Sequence, residues 1–182
     1  MASISKVEWY QEGFKVLVEA GATALTIDTL ARRLAITKGS FYHHFKNYQD
    51  YKKGLLAYFE DLTTSQTIER LEKLTGPAEK IEGLLNITSS NSGRLEVALR
   101  AWALLDQEVY LFQSRLDTRR LAYLQELFAE RGYQPAQARL MAELFYTIYV
   151  GSSHVVPELS MGTLYAEVNR LYRQSDPTKL EK

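Results

Sequence analysis

Lys38, Ser40, Tyr42, His43, His44 and Lys46 fall within nine consecutive residues, and their side chains suit the reading of a polyanion. The Ser40 hydroxyl and the two imidazoles can hydrogen-bond base edges in a groove. Tyr42 offers a hydroxyl to phosphate and a ring to thymine methyls, while Lys38 and Lys46 can neutralise phosphates. Gly39 costs a helix roughly 1 kcal/mol relative to Ala, and its return would be a close backbone approach to the duplex. Phe41 and Phe45 lie one helical turn apart and define an inward face. Gly39, Ser40 and His43 then lie opposite, with Tyr42 and His44 on the flanks. Taken alone, the same pattern also describes an amphipathic helix with an idle solvated face.

The elements that position this segment read as helices. Ser5-Lys6-Val7-Glu8 is a capping box, followed by Val7, Tyr10, Phe14 and Leu17 at helical spacing, with Gly21 expected to end the helix in the left-handed conformation. Thr26 caps a short second helix with the stripe Ile27, Leu30, Ala31 and Leu34. Leu34-Ala35-Ile36 forms a turn, and Thr37 is expected to cap the third helix. Thr26 and Thr37 stand at helix starts, where backbone N–H groups suit a phosphate. Asn47 caps a long fourth helix running through Leu55, Phe59 and Leu62 toward Leu74, broken at Gly76-Pro77. Further helices are expected over 77–89, 94–106, 108–131, 135–155 and 163–174, punctuated by Asn91-Ser92-Gly93, Gly132, Pro157 and Asp176-Pro177. No strand-type alternation persists over a convincing length. The fold class is therefore all-α, with about nine helices: a three-helix head over 1–50 and a helical body over 51–182, joined through the fourth helix.

The chain has 182 residues, 46% of them hydrophobic, enough for a sizeable core. It contains no cysteine, which excludes disulfides, thiolate metal sites and a Cys nucleophile. The formal net charge is zero, which argues against a general nucleic-acid coat. Its distribution is uneven. Residues 1–53 hold eight Lys and Arg against five Asp and Glu, a net of +3, so the remainder carries −3. A modestly basic head on an acidic body suits local DNA binding. The N-terminal residues lack the apolar stretch of a signal peptide and no run suffices for a membrane span, so a cytoplasmic location is expected. Catalysis finds little support. His43 and His44 are neighbours pointing about 100° apart on a helix, and no nucleophile–base set, paired-carboxylate signature or Gly-rich phosphate loop is identifiable. No metal or cofactor is expected.

Thr26-Ile27 through Leu30-Ala31, then Leu34-Ala35-Ile36-Thr37-Lys38-Gly39-Ser40-Phe41-Tyr42-His43-His44-Phe45, resembles the signature of the tetracycline-repressor (TetR) family. The likeness covers about residues 5–55. Three positions depart from the family pattern. Ala35 stands where Gly is usual. Tyr48 stands where a phosphate-touching Lys is frequent, and its hydroxyl could still donate. Tyr51 stands where Leu is usual, and the larger ring is expected to alter how the fourth helix packs on the head. The resemblance implies a homodimeric transcription regulator, most often a repressor, that binds a palindromic operator and is released by a small effector.

The resemblance also implies a ligand pocket among the helices of 77–155. Trp102, Leu105, Leu116, Tyr123, Phe145 and Tyr149 are its candidate lining, suited to a hydrophobic or aromatic effector. Arg119 and Arg120 read as an exposed pair. Gly151-Ser152-Ser153 with Leu140, Leu144, Ile148 and Val155, and then Leu164, Val168, Leu171 and Tyr172, form the candidate dimer helices. Two other classes fit the same sequence: an architectural or cell-division DNA binder without an effector, and a helical enzyme or protein-interaction bundle.

Overall fold

A computed structural model describes residues 4–90, 93–155, 159–160, 163–164, 166–168 and 170. Among these the chain forms α-helices and no strand: α1 (Lys6–Ala20), α2 (Ile27–Arg33), α3 (Lys38–His44), α4 (Tyr48–Glu60), α5 (Gln66–Leu71), α6 (Pro77–Ser90), α7 (Arg94–Ala103), α8 (Gln107–Glu130) and α9 (Pro135–Ser152). A 3-10 turn over Ala22–Ala24 joins α1 to α2, and a π-helical stretch, Asp61–Ser65, connects α4 to α5. Leu171 and Tyr172 of the expected last helix, Asn91-Ser92 and Pro157 lie outside the described residues. Packing groups the chain into two compact units: residues 1–63 with 94–114, and residues 64–93 with 115–182.

The first unit is built on α1. The Ser5 capping box forms as expected, its hydroxyl accepting from the Glu8 N–H while Glu8 accepts from the Ser5 N–H. Val7 is exposed and does not belong to the core stripe; Trp9 and Val16 are buried instead. Gly21 does take a positive φ of 77°, but its ψ of 176° is extended rather than left-handed helical. The helix therefore leaves directly into the 3-10 turn. The other face of the unit comes from α4 and α7, which both pack on α1.

The α1–α4 contact is reciprocal. The Tyr51 ring of α4 is fully buried, and its hydroxyl donates to the Trp9 carbonyl at 3.1 Å. A Cβ on Gly13 would overlap that hydroxyl. About one turn away, a Cβ on Gly54 of α4 would overlap the Tyr10 hydroxyl of α1. Each helix thus supplies a tyrosine and the glycine that receives the other's. The two rings sit 5.8 Å apart. Burial pushes the Tyr51 phenol well above its usual pKa, so it remains a neutral donor. Tyr51 thus seats α4 on α1 through its ring and its hydroxyl together.

The same unit buries one ammonium group. Lys52 is 3% exposed and pairs with Asp106 at 2.9 Å and Glu108 at 2.7 Å. Asp106 also accepts from the Glu108 and Val109 N–H groups, capping α8. That cap ends α7 at Ala103, earlier than the expected 106, and leaves Leu104 and Leu105 exposed in the turn.

In the second unit, α5 packs on α6. Ile81 and Leu85 of α6 share a core with Leu127 and Phe128 of α8 and Ala142 and Phe145 of α9. The α4–α5 stretch is helical only to Leu71, short of the expected Leu74, with the π-helical insertion at Asp61–Ser65. The ninth helix ends at Ser152 rather than 155.

Gly13→Ala is expected to destabilise the protein by about 1–3 kcal/mol by overpacking a filled contact, despite Ala's better helix propensity. Urea unfolding of the single variant and of Gly13→Ala/Tyr51→Leu checks this. The smaller side chain at 51 must recover part of the loss, and strictly additive effects would sink the interlock.

Candidate nucleic-acid interface

The head presents α3 on a rigid aromatic base. Phe41 and Phe45 are buried, as expected. Phe41 meets the Trp9 ring edge-on at 5.3 Å and lies 5.0 Å from Phe45. Tyr51 closes the base, 5.6 Å from Phe41 and 5.1 Å from Phe45. Such pairs add roughly 0.5–1.5 kcal/mol each beyond area burial. The rotation of α3 about its axis is therefore set by four rings from three helices.

With that face fixed, the opposite face points to solvent. Tyr42 is 58% exposed, its ring resting edge-on against Phe41 at 5.4 Å. Lys38, Gly39 and His43 are exposed; Ser40 and His44 are half-buried. His44 sits on the flank, 6.1 Å from Phe45. Lys46 is exposed just beyond the helix, and its backbone N–H donates to Asp50 at 3.0 Å. Tyr48 is half-buried, and burial raises its phenol pKa, so it too stays protonated and able to donate.

The turn before α3 is a Schellman motif. The Ile36 N–H donates to the Ala31 carbonyl and the Ala35 N–H to that of Arg32, at 3.0 and 3.2 Å. This geometry puts a left-handed residue at position 35, and Ala35 has φ of 55°. The usual glycine would be unstrained there. Thr26 caps α2 as expected, accepting from the Thr29 N–H at 3.1 Å. Thr37 occupies the N-cap position of α3 with extended backbone but makes no side-chain cap bond. The expectation of a hydroxyl cap is thus corrected at Thr37: its side chain is exposed beside the first-turn N–H groups without accepting from them.

Several head charges are already engaged. Arg33 bonds Glu12 and Glu19, which hold its pKa up, while Glu12 also takes Lys15. Lys38 is ion-paired to Asp28 in the first turn of α2. That acid was not among the residues singled out from sequence; its only signal there is its place, ten positions before Lys38 across the turn.

The candidate effector residues divide between the two units. Trp102 is buried in the first unit; Leu105 is 74% exposed in the α7–α8 turn, away from any core. The second unit holds Leu116 and Phe145 buried, and Tyr123 and Tyr149 half-buried. Tyr123 donates to Glu72 at 2.7 Å. Arg119 is exposed and bonds Ser65, whereas Arg120 is half-buried, bonds Thr64 at 2.9 Å and lies over the Tyr149 ring. The exposed reading therefore holds for Arg119 only. Next to them, Tyr146 donates to Asp117, and burial chiefly pushes its phenol up to about 12. Among the described residues no group of three or more His, Asp or Glu side chains is gathered to hold a metal ion, and no helix is long and apolar enough to cross a membrane.

Comparison with known proteins points the same way. The family model for bacterial regulatory proteins of the tetR family matches residues 11–50. A solved candidate transcriptional regulator of the TetR/AcrR family superposes with a TM-score of 0.77 at 18% identity, covering 91% of this chain and 96% of its own. A regulator from Saccharomonospora viridis, in complex with choline, gives 0.77 at 11% identity over 93% of this chain and 96% of its own. The fatty acid degradation regulator FadR from Bacillus halodurans gives 0.69 at 17% identity, with 92% and 97% covered. No curated protein sequence matches the chain.

Two variants test the head. Ala35→Gly is expected to stabilise by about 0.5–1 kcal/mol, by relieving the left-handed strain; an unchanged or lower urea midpoint would count against it. Tyr42→Ala and His43→Ala are each expected to weaken duplex binding about tenfold, the scale of one good contact, with thermal unfolding unchanged. Unaltered affinity in both variants would remove α3 from the interface.

Proposed function

From the premise that this chain is a TetR-family transcriptional regulator with a helix-turn-helix head, we propose that it works as a homodimer on palindromic DNA and answers to a small effector. The observation that carries the reading is the split character of α3: Phe41, with Phe45 just past its end, buried in the head, Tyr42 and His43 turned to solvent. In this reading α3 enters the major groove. Ser40, Tyr42, His43 and His44 meet base edges and nearby backbone, and Gly39 lets the helix approach closely. Lys38, Lys46, Tyr48 and the starts of α2 and α3 at Thr26 and Thr37 meet phosphates.

This reading assigns dimerisation to α9. Leu140 and Leu144 are 65% and 47% exposed at i, i+4 spacing, an unusual placement for two leucines on one face. Further along the same helix, a Cβ on Gly151 would meet no described residue within 4 Å, which suits close approach of a second helix. A second copy packing there would hold two heads at a fixed separation, matched to half-sites about one helical turn (roughly 34 Å) or a multiple apart.

Effector response requires that α4 be biased. Its Lys52 is bound to the start of α8, whose later residues, 115–130, belong to the second unit. A ligand in the body that prefers one arrangement of α8 would shift the population of head positions by its differential affinity. Repression with release by a hydrophobic or aromatic effector is the form this takes. The choline held by one fold neighbour supports a small molecule as effector in a body of this fold, and the body's tyrosines would suit a ligand with an apolar or aromatic group. Family and fold both point to a regulator rather than an enzyme.

The first test is selection of bound sequences from random duplex DNA by the purified protein at stated salt. An enriched palindrome is expected. Sequence-independent binding alone would support an architectural role, and no binding would end the DNA reading. In parallel, Leu140→Glu/Leu144→Glu is expected to give monomers by sedimentation and to lose palindrome binding; a dimer that persists would place the interface elsewhere.

A further inference from the structure

We propose that Asp28 is an electrostatic gate on the DNA-facing surface of the head: it neutralises Lys38 and thereby holds down sequence-independent binding. The inference rests on the DNA-binding reading of α3 and adds a residue that opposes binding. Asp28 stands in the first turn of α2, and Lys38 is the first residue of α3. Their side chains meet as an ion pair although both are well exposed, 68% and 62%. An exposed pair of this kind contributes little to stability, so the fold does not depend on it. Its consequence is for charge. Lys38 is the base at the start of the exposed helix, and its partner cancels it at the surface that a phosphate backbone would approach.

Two arrangements on DNA are open to the pair, with the same net result. If Lys38 stays with Asp28, it releases no counterion. If Lys38 swings to a phosphate, the Asp28 carboxylate is left in the negative potential of the duplex. Either way the pair adds nothing to the counterion-release component, which supplies nearly all non-specific affinity. Contacts from Tyr42 and His43 do not depend on this charge. A head gated in this way gives up general affinity while keeping its sequence-dependent contacts, which widens the ratio between the two. Asp28 also suits the dipole of its own helix, and that local role would be silent in a salt titration.

The experiment measures binding of the full-length protein to a mixed-sequence duplex of about 30 base pairs, across about 50 to 200 mM salt. Asp28→Asn, nearly isosteric, is expected to bind about fivefold tighter at the low-salt end and to steepen the slope of log K against log salt by about 0.9, one extra cation's worth. Lys38→Met alone is expected to bind weaker than the parent. The double variant Asp28→Asn/Lys38→Met should return close to the parent in both affinity and slope, because it restores the charge balance without the pair. If Asp28→Asn binds no tighter, the gate is wrong. If it binds weaker, the carboxylate makes a favourable contact and the proposal is also overturned. A parent protein that binds no duplex at any salt would sink the DNA-binding reading itself, an outcome distinct from the first two.

Discussion

The seating of α4 on α1 is the contact from which the rest of the head takes its geometry. In an α-helix the carbonyl of residue i is already engaged by the N–H of i+4. Trp9 and Gly13 are such a pair, and Gly13 is also the residue whose missing Cβ leaves room for the Tyr51 hydroxyl. The carbonyl's second lone pair becomes reachable only because that side chain is absent. A buried phenol needs such an acceptor; left unsatisfied it would cost about 1–3 kcal/mol. Tyr10 and Gly54 repeat the arrangement in the opposite direction, so neither helix can slide or rotate without moving both tyrosines. Phe41 and Phe45 then rest on Trp9 and Tyr51, and the exposed face of α3 is a consequence of that stack.

The residue next to Tyr51 grips in a different direction. Adjacent helical positions point about 100° apart, so Tyr51 faces α1 while Lys52 faces the start of α8. Burying an ammonium group among carboxylates contributes little net stability, since desolvation offsets much of the attraction. What it does provide is registry: a displaced Lys52 would leave a buried charge without its carboxylates, a far costlier state. The helix that carries the head is thus held by a packing interlock on one side and by an ionic one on the other. The second is the softer of the two, since it depends on Asp106 and Glu108, which are partly exposed. A change at the α7–α8 turn would be felt first there.

Much of this was legible in the sequence, and the parts that were not have common causes. The helix order, the Ser5, Thr26 and Asn47 caps, and the inward Phe41 and Phe45 all follow from local chemistry and period. Trp9 was missed because Val7 and Tyr10 suggested a stripe displaced from the real one; Val7 lies at the exposed edge of the helix start, where apolar residues carry little information. Gly13 and Gly54 carry no signal of their own in the sequence, and only the tyrosines packed against them reveal their purpose. Leu105 looked like pocket lining because α7 was extended to Asp106. A single carboxylate capping the next helix ends α7 earlier and turns that leucine outward. Thr37 had the right residue type at the right position, yet cap position and cap bond are separate facts.

The charge count of the head shows the same limit in a form that bears on function. Eight bases against five acids suggested a surface drawn to phosphate by its net charge. The folded head spends those bases unevenly. Arg33 and Lys15 are tied to Glu12 and Glu19, Lys38 to Asp28, and Lys52 is buried among acids. Lys6 lies over the Phe45 ring. Lys6, Arg32, Lys46 and Lys53 have no ion pair to a described residue, and all four are exposed. Because affinity from counterion release scales with the number of cations brought to the backbone, each head has few to offer. In the proposed DNA-binding reading, discrimination would come from oriented groups on α3, and orientation is what the Trp9–Tyr51 base supplies. In the dimeric reading proposed above, two copies held at a set spacing would make up for that scarcity, and the position of α4 would be the quantity that regulation has most reason to control.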